Sequence, residues 1–195
     1  MTCNVIINLR GANGSGKSTV IRELIVDEPK LITEKVYGYP AKGGGLVIGN
    51  PYKRKSAIPE GIKNGAYRGC DAVVDQNEVA KAIREALKFD RGNNYIIFEG
   101  MIISTVFHEW LNFSRMTGTP WLWVFMKTSP EECLRRVYQR NGGKKIDEKL
   151  LFQKHHRVGQ MSEYLEGAGE RIEFIKDEPE LWPFLEEFGI INAPF

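Results

Sequence analysis

One short stretch near the start of the chain constrains the fold more than any other. Residues 4–10 form a largely apolar run, a glycine-rich segment follows, and an apolar helical pattern extends from Val20 to Val26. The segment Gly11-Ala-Asn-Gly-Ser-Gly-Lys-Ser-Thr19 matches the phosphate-binding pattern G-x-x-x-x-G-K-[ST]. The sequence therefore predicts a strand, a tight turn and a helix in the arrangement of a P-loop.

The residue types in this turn suit a nucleoside triphosphate. Glycines allow the backbone to bring its N–H groups close to phosphate oxygens, and the following helix points the positive end of its dipole at the same place. Lys17 is expected to reach the β- and γ-phosphates, and the Ser18 hydroxyl to bind Mg²⁺. The predicted nucleotide-binding residues are Gly11, Asn13, Gly14, Ser15, Gly16, Lys17, Ser18 and Thr19.

Length and composition predict an ordinary soluble protein. The 195 residues fit a single domain, 1–195, and the formal net charge of +2 is too small to indicate nucleic-acid binding by itself. Three scattered cysteines without a C-x-x-C pair argue against a disulfide scaffold and a zinc site. No apolar run is long enough to span a membrane, and the chain enters its first strand directly. We therefore expect a cytoplasmic protein without a signal peptide or membrane contact.

Strand patterns alternate with helical patterns along most of the chain. This alternation predicts a P-loop-like, three-layer αβα fold with a mainly parallel five-stranded sheet. An insertion at about 34–70, with a β-hairpin and a long loop, and a helical lid at about 136–160 are predicted within it. Strands are expected at 4–10, 34–39, 46–50, 95–99, 120–126 and 171–176, and later helices at 75–89 (with Asp75 as N-cap), 104–116, 128–140, 147–165 and 179–188.

The loop predicted at 51–71 carries the densest positive charge in the chain. Lysines and arginines there are interleaved with tyrosines, a pattern that can follow a phosphate backbone while aromatic rings stack on bases. A solvated surface loop would have a similar composition, so both interpretations stay open. The residues concerned are Tyr52, Lys53, Arg54, Lys55, Lys63, Tyr67 and Arg68.

Two acidic residues are candidates for chemistry. Glu99 ends the apolar run Tyr95-Ile-Ile-Phe, where it could hold Mg²⁺ or accept a proton from an attacking hydroxyl, although it could also cap a turn. Asp71 closes the basic loop and, with Arg68, offers an acceptor and a donor to a polar substrate. A helix-start role for Asp71 is equally compatible with the sequence.

Three arginines lie on the helix predicted after Pro130, just before the break Asn141-Gly-Gly. Arg136 and Arg140 are four residues apart and share a helix face, so we place them ahead of Arg135 as cations for a transferring phosphoryl group. A segment of this kind beside a glycine break suits a lid that closes on substrates. The alternative is a solvated basic face.

These motifs together carry a resemblance. The P-loop, the Phe98-Glu99-Gly100 strand end and Ser129-Pro-Glu-Glu-Cys-Leu-Arg-Arg-Val-Tyr-Gln-Arg140 resemble the P-loop kinases of nucleosides and nucleoside monophosphates. Val47-Ile-Gly-Asn50 and Tyr67-Arg-Gly-Cys-Asp71-Ala-Val are similar to a motif of phage kinases, which include the 5-hydroxymethyluracil DNA kinases. The resemblance implies ATP as donor, Mg²⁺ as cofactor, Arg136 and Arg140 on a lid, and Asp71 in the substrate pocket. The basic insertion departs from the family pattern and leaves the acceptor open.

Several functions are compatible with these observations. The first is a kinase that phosphorylates a nucleotide hydroxyl, such as the 5-hydroxymethyl group of a base in phage DNA, in the host cytoplasm. Lys17, Asp71, Glu99, Arg136 and Arg140 would be its catalytic residues, with either acid as the base and Ser18 and Glu99 as metal ligands. A kinase of free nucleosides or monophosphates is the alternative. A signalling NTPase lacks support because no N-K-x-D motif is present. The intact Lys17 argues against a nucleotide-binding module that does not catalyse a reaction. The sequence leaves open whether the protein is a homodimer.

Overall fold

The computed structural model describes residues 3–52, 67–73, 75–88 and 93–191. Its centre is a sheet of five parallel strands in the order β4-β6-β1-β7-β8. The strands are β1 (Val5–Arg10), β4 (Gly45–Pro51), β6 (Tyr95–Glu99), β7 (Trp121–Met126) and β8 (Ile172–Ile175). β1, β6 and β7 are buried along their whole length, as expected for apolar runs covered on both faces. The predicted, mainly parallel sheet is confirmed, although the whole sheet formed by the described residues has eight strands rather than five.

Antiparallel strands extend the sheet beyond β4. They are β2 (Lys30–Leu31), β3 (Tyr37–Ala41) and β5 (Tyr67–Gly69). β3 pairs with β4 around a turn at Lys42–Gly44, with Tyr39 opposite Val47, so the predicted hairpin is confirmed. β5 pairs with the end of β4 at Asn50 and Pro51. β5 brings the residues that follow it to the carboxyl edge of the parallel strands.

Helices cover both faces and complete three layers. They are α1 (Lys17–Leu24), α2 (Gln76–Lys88), α3 (Met101–Thr105), α4 (His108–Thr117), α5 (Pro130–Arg140), α6 (Glu148–Gly167) and α7 (Trp182–Glu186). One face packs against α2, α3, α4 and α6, and the other against α1 and α7. Within β1, Ile6 packs in the core with α2, α3, α4 and α6, whereas Val5 and Ile7 pack in the core with α1 and α7. This is the alternation expected of a strand that is buried on both sides.

Three local predictions were wrong. The first helix ends at Leu24 rather than Val26, because Ile25 turns to extended backbone and pairs with Ala41. The predicted helix 104–116 is two helices, since α3 begins at Met101 and breaks at Val106. The end of the predicted loop 51–71 is strand β5. The basic residues at 53–66 lie outside the described residues.

Two predicted helix caps are confirmed. Asp75 caps α2, with its Oδ1 accepting the Asn77 N–H at 2.9 Å, and the Ser129 hydroxyl accepts the Glu132 N–H at the start of α5. None of the helices that the structure describes is long and apolar enough to cross a membrane.

Candidate active site

The loop between β1 and α1 is held from two sides. The Gly11 N–H donates to the Ser104 hydroxyl of α3 at 3.2 Å, and the Thr128 hydroxyl after β7 donates to the Ser15 carbonyl at 2.7 Å. Gly14 has a φ of +82°, and a Cβ there would lie 2.4 Å from the Cys133 carbonyl oxygen of α5. Only glycine fits this approach, so the loop and α5 form one surface.

Lys17 lies against the carbonyls of its own loop. Its Nζ donates to the carbonyl oxygens of Gly11 at 2.8 Å and Ala12 at 3.1 Å, and 7 % of the residue is exposed. Burial lowers the pKa of Lys17, while the negative charges of Glu99 and Asp71 oppose that shift. The ammonium is therefore bonded to the loop and feels the charges of the two acids at the end of β6 and after β5.

Glu99 contacts the first turn of α1. The Ser18 hydroxyl donates to Glu99 Oε1 at 2.8 Å, and Glu99 is 2 % exposed. Burial raises the pKa of this carboxyl, and Lys17 and the Ser18 hydroxyl work against the rise. Gly69 allows the approach, because a Cβ at its position would lie 2.6 Å from Glu99 Oε1.

Asp71 lies beside Glu99 on the same edge but is exposed. Its Oδ2 accepts the Met101 N–H at 2.7 Å and its Oδ1 the Ile102 N–H at 3.1 Å, so the carboxylate caps the first turn of α3. Both interpretations of Asp71 therefore have a counterpart: it satisfies a helix start, although of α3 rather than α2, and it faces the space beside the P-loop. A carboxylate offers about four lone-pair positions, so two N–H groups leave room for a substrate hydroxyl.

The arginines of α5 approach the loop from the opposite side. Arg136 Nε donates to Glu132 Oε1 at 2.7 Å, and its Nη1 lies 3.4 Å from the Ser15 carbonyl oxygen. Arg135 also binds Glu132, and the two guanidinium groups lower the pKa of Glu132 to about 2. Arg140 is exposed at the end of the same helix.

A single cleft of about 680 Å³ collects these groups. The size suits a nucleotide. Among the predicted residues it is lined by Asn13, Gly14, Ser15, Gly16, Lys17, Ser18, Thr19, Tyr52, Arg68, Asp71, Glu99, Arg136 and Arg140. Gly11 and Arg135 do not line the cleft. Gly11 instead donates its N–H to the Ser104 hydroxyl.

Two residues of the basic segment differ in their placement. Tyr67 is buried, with its hydroxyl 3.4 Å from the Ile48 carbonyl oxygen, so it cannot stack on a base. Arg68 is exposed and lies over the Tyr52 ring at 5.9 Å from its centroid.

The lining also includes six residues that were not predicted: Ala12, Val20, Arg22, Glu23, Lys176 and Asp177. Among them, Arg22 has a clear structural contact. It lies on α1 four residues after Ser18 and therefore on the same helix face, which is the signal that could have identified it. Its guanidinium donates through Nε and Nη2 to the Tyr67 carbonyl, each at 3.3 Å.

The fold and the cleft define a class. A P-loop at the carboxyl edge of a parallel sheet, with two acids on one side and arginines on the other, is the arrangement of a P-loop phosphotransferase of the nucleoside and nucleotide kinase type. Comparison with known proteins gives the family. The family model described as 5-hmdU DNA kinase matches residues 3–166.

Curated relatives agree with the family model. The chain is 31 % identical to the 5-hmdU DNA kinase of Pseudomonas phage M6, over 90 % of this chain and 92 % of that protein. It is also 31 % identical to 5-hmdU DNA kinase 1 of Salmonella phage ViI, over 82 % and 70 %. The chain therefore belongs to the 5-hmdU DNA kinase family.

One solved structure is also similar, that of deoxyadenosine kinase from M. mycoides with bound dATP. The likeness covers 96 % of this chain and 98 % of that chain, with 15 % identity and a TM-score of 0.41. The family assignment does not depend on it.

Proposed function

We propose that the protein transfers the γ-phosphoryl group of ATP to the hydroxymethyl oxygen of 5-hydroxymethyldeoxyuridine in DNA. One observation carries the proposal: Glu99 and Asp71 both lie on the β5–β6 side of the cleft, beside Ser18 and Lys17. Family membership supports the modified base as acceptor, because the relatives carry that substrate in their names.

The positions of the acids assign the two halves of the cleft. In phosphoryl transfer the attacking and leaving oxygens lie roughly in line, on opposite sides of the phosphorus. An acceptor hydroxyl near the acids therefore occupies the β5–β6 side, and the rest of ATP extends toward α5 and the residues after β8. Arg136, Arg140, Lys176 and Asp177 line that donor side.

The P-loop residues would bind the donor. Backbone N–H groups of 13–19 and Lys17 are the groups that contact phosphate oxygens in this loop type. Lys17 would exchange its bonds to two loop carbonyls for stronger, charge-assisted bonds to the phosphates.

The donor set also fits Mg²⁺. Ser18 and Glu99 offer a hydroxyl and a carboxylate 2.8 Å apart, and no group of three or more His, Cys, Asp or Glu residues that could enclose a metal exists in the described part of the chain. Mg²⁺ is held in this way in nucleotide sites, through one or two protein oxygens, phosphates and waters. When bound, it neutralises charge on the β- and γ-phosphates.

We assign Asp71 as the base and Glu99 to the metal shell. Asp71 is exposed to the acceptor side, whereas Glu99 is enclosed and already accepts a bond from Ser18. Asp71 would take the proton of the hydroxymethyl group. At the same time the hydroxymethyl oxygen bonds to the γ-phosphorus, and the bond between the γ-phosphorus and the β–γ bridging oxygen breaks. ADP then leaves, and the proton passes from Asp71 to water.

Arg136 and Arg140 would stabilise the charge of the group in transfer. Arg136 already lies against the loop, and Arg140 precedes a turn in which Gly142 and Gly143 have positive φ. Closure of a lid at about 136–160 stays a prediction. Movement of its α6 part is restricted, because Val158 of α6 packs in the hydrophobic core. The proposed setting is the host cytoplasm.

A transfer assay over a panel of acceptors tests the proposed function. With labelled ATP, wild-type protein should phosphorylate an oligonucleotide containing 5-hydroxymethyluracil and leave the same oligonucleotide with thymine unlabelled. Free 5-hydroxymethyldeoxyuridine and its 5′-monophosphate complete the panel. Efficient labelling of a free compound with none on DNA would contradict the proposal and favour the free-nucleotide kinase.

A further inference from the structure

The acceptor side of the cleft contains a cation to which the proposed function assigns no role. Arg22 is half-buried on α1, where its guanidinium donates to the Tyr67 carbonyl at the start of β5. It lines the cleft together with Asp71 and Glu99. Its location on the β5 side separates it from Arg136 and Arg140, which approach the loop from α5.

The contacts of Arg22 leave binding capacity unused. Both bonds to Tyr67 are long, at 3.3 Å, and they share one neutral carbonyl oxygen. Within residues 3–52, 67–73, 75–88 and 93–191, no carboxylate forms an ion pair with Arg22. A guanidinium has five N–H donors in a fork that matches phosphate oxygens, and such charge-assisted bonds are stronger than bonds to a carbonyl.

The chemistry of a pyrimidine nucleotide places an anion near this cation. In the anti conformation the C5–C6 edge of the base faces the 5′-phosphate, so a C5-hydroxymethyl group and that phosphate lie on the same side of the nucleotide. With the hydroxymethyl group at Asp71, the phosphate would lie on the side of the cleft that Asp71 and Glu99 line. Among the described residues of that side, Arg22 is a half-buried cation.

We propose that Arg22 binds the phosphate ester on the sugar of the acceptor nucleotide and positions its hydroxymethyl group at Asp71. The inference rests on the proposed function for the location of the acceptor. The phosphate can be a phosphodiester of DNA or the phosphate of a free 5′-monophosphate, since both present the same oxygens.

Binding measurements with three ligands test this role. Fluorescence anisotropy gives the Kd of wild-type and Arg22→Gln protein for a labelled oligonucleotide containing 5-hydroxymethyluracil, and competition gives that of 5-hydroxymethyldeoxyuridine 5′-monophosphate. ATP binding is measured in parallel. Arg115→Gln is the matched control, because Arg115 is exposed and pairs with Glu170 at the opposite edge of the sheet.

We expect Arg22→Gln to raise the Kd for the phosphate-bearing acceptors on the order of 10- to 100-fold and leave ATP binding within about threefold. The slope of log Kd for DNA against log salt should fall by about one. Arg22→Lys, which keeps the charge, should recover most of the affinity, whereas Arg115→Gln should match wild type.

The outcomes separate this inference from the proposed function. If only the monophosphate binds and is phosphorylated, the DNA acceptor is wrong, and loss of monophosphate binding in Arg22→Gln still supports the subsite. Unchanged acceptor binding in Arg22→Gln would overturn the subsite even where wild type phosphorylates DNA. Equal losses of ATP and acceptor binding would mean that Arg22 only tethers β5, and would also overturn it.

Discussion

Gly69→Ala is the perturbation that tests the placement of Glu99 with the least change in chemistry. Gly69 has φ +93° and ψ 178°, a region that is almost exclusive to glycine, and alanine there costs about 1–3 kcal/mol. For a domain of this size, that range corresponds to a fall in Tm of about 2–12 °C. The new Cβ would also lie 2.6 Å from Glu99 Oε1, well inside van der Waals contact.

The carboxylate of Glu99 must then move by roughly 1 Å, because Gly69 presents rigid backbone and Glu99 is enclosed. A displacement of this size at a reacting centre can cost about 100-fold in rate. We therefore expect kcat to fall by about 100-fold, while ATP affinity changes less, since the atoms nearest the new Cβ belong to Glu99 rather than to the P-loop.

The assay is phosphoryl transfer, measured below the Tm of each variant. Gly118→Ala is the matched control: Gly118 has φ +66° and no atom within 4 Å of its added Cβ, so alanine there should cost about 1–2 kcal/mol and leave kcat unchanged. If folded Gly69→Ala retained the kcat of Gly118→Ala, the assignment of Glu99 to the reaction would be refuted.

Three further predictions concern the reacting groups. Lys17→Ala should lower kcat on the order of 10²- to 10³-fold or more with an unchanged circular dichroism spectrum, and near wild-type transfer would remove the P-loop from the mechanism. Glu99→Gln should abolish transfer and make Tm less sensitive to pH than in wild type from about pH 4 to about pH 8, because the raised pKa of the buried carboxyl makes wild-type stability fall as pH rises from the unfolded-state pKa toward the raised one. An equal pH dependence of Tm in the two proteins would contradict the buried charge. Asp71→Asn should reduce kcat far more than ATP affinity in a titration of both, since Asn keeps an acceptor for α3 but is a poor base; equal losses would make Asp71 purely structural.

The sequence predicted the donor half of the site because its signal is local. The P-loop pattern fixes the strand, turn and helix around Lys17 within nine consecutive residues, Gly11 to Thr19. The apolar runs ending at Glu99 and Met126 indicated buried parallel strands, and the carboxyl ends of such strands meet at one edge. Ser18 and Glu99 could therefore be placed together from a distance of 81 positions.

The acceptor half depended on tertiary contacts that no local pattern contains. α3 begins at Met101 because Asp71, 30 positions earlier, accepts its N–H, so the predicted start at Ser104 was too late. β5 is only three residues long and follows a segment of loop-like composition, so no local pattern predicts it. It forms because it pairs with the end of β4. Burial of Tyr67 follows from that pairing, and the same pairing brings the Tyr67 carbonyl to Arg22.

The position of the phosphate on the product shows whether the hydroxymethyl oxygen of the base is the acceptor. DNA containing 5-hydroxymethyluracil is incubated with protein and ATP, digested to nucleosides without a phosphatase step, and analysed by tandem mass spectrometry. We expect a nucleoside that has gained one phosphoryl group on its base, at the hydroxymethyl oxygen, and no such product from Lys17→Ala protein. An unmodified base after ATP has been consumed, or phosphate only on the sugar, would contradict it.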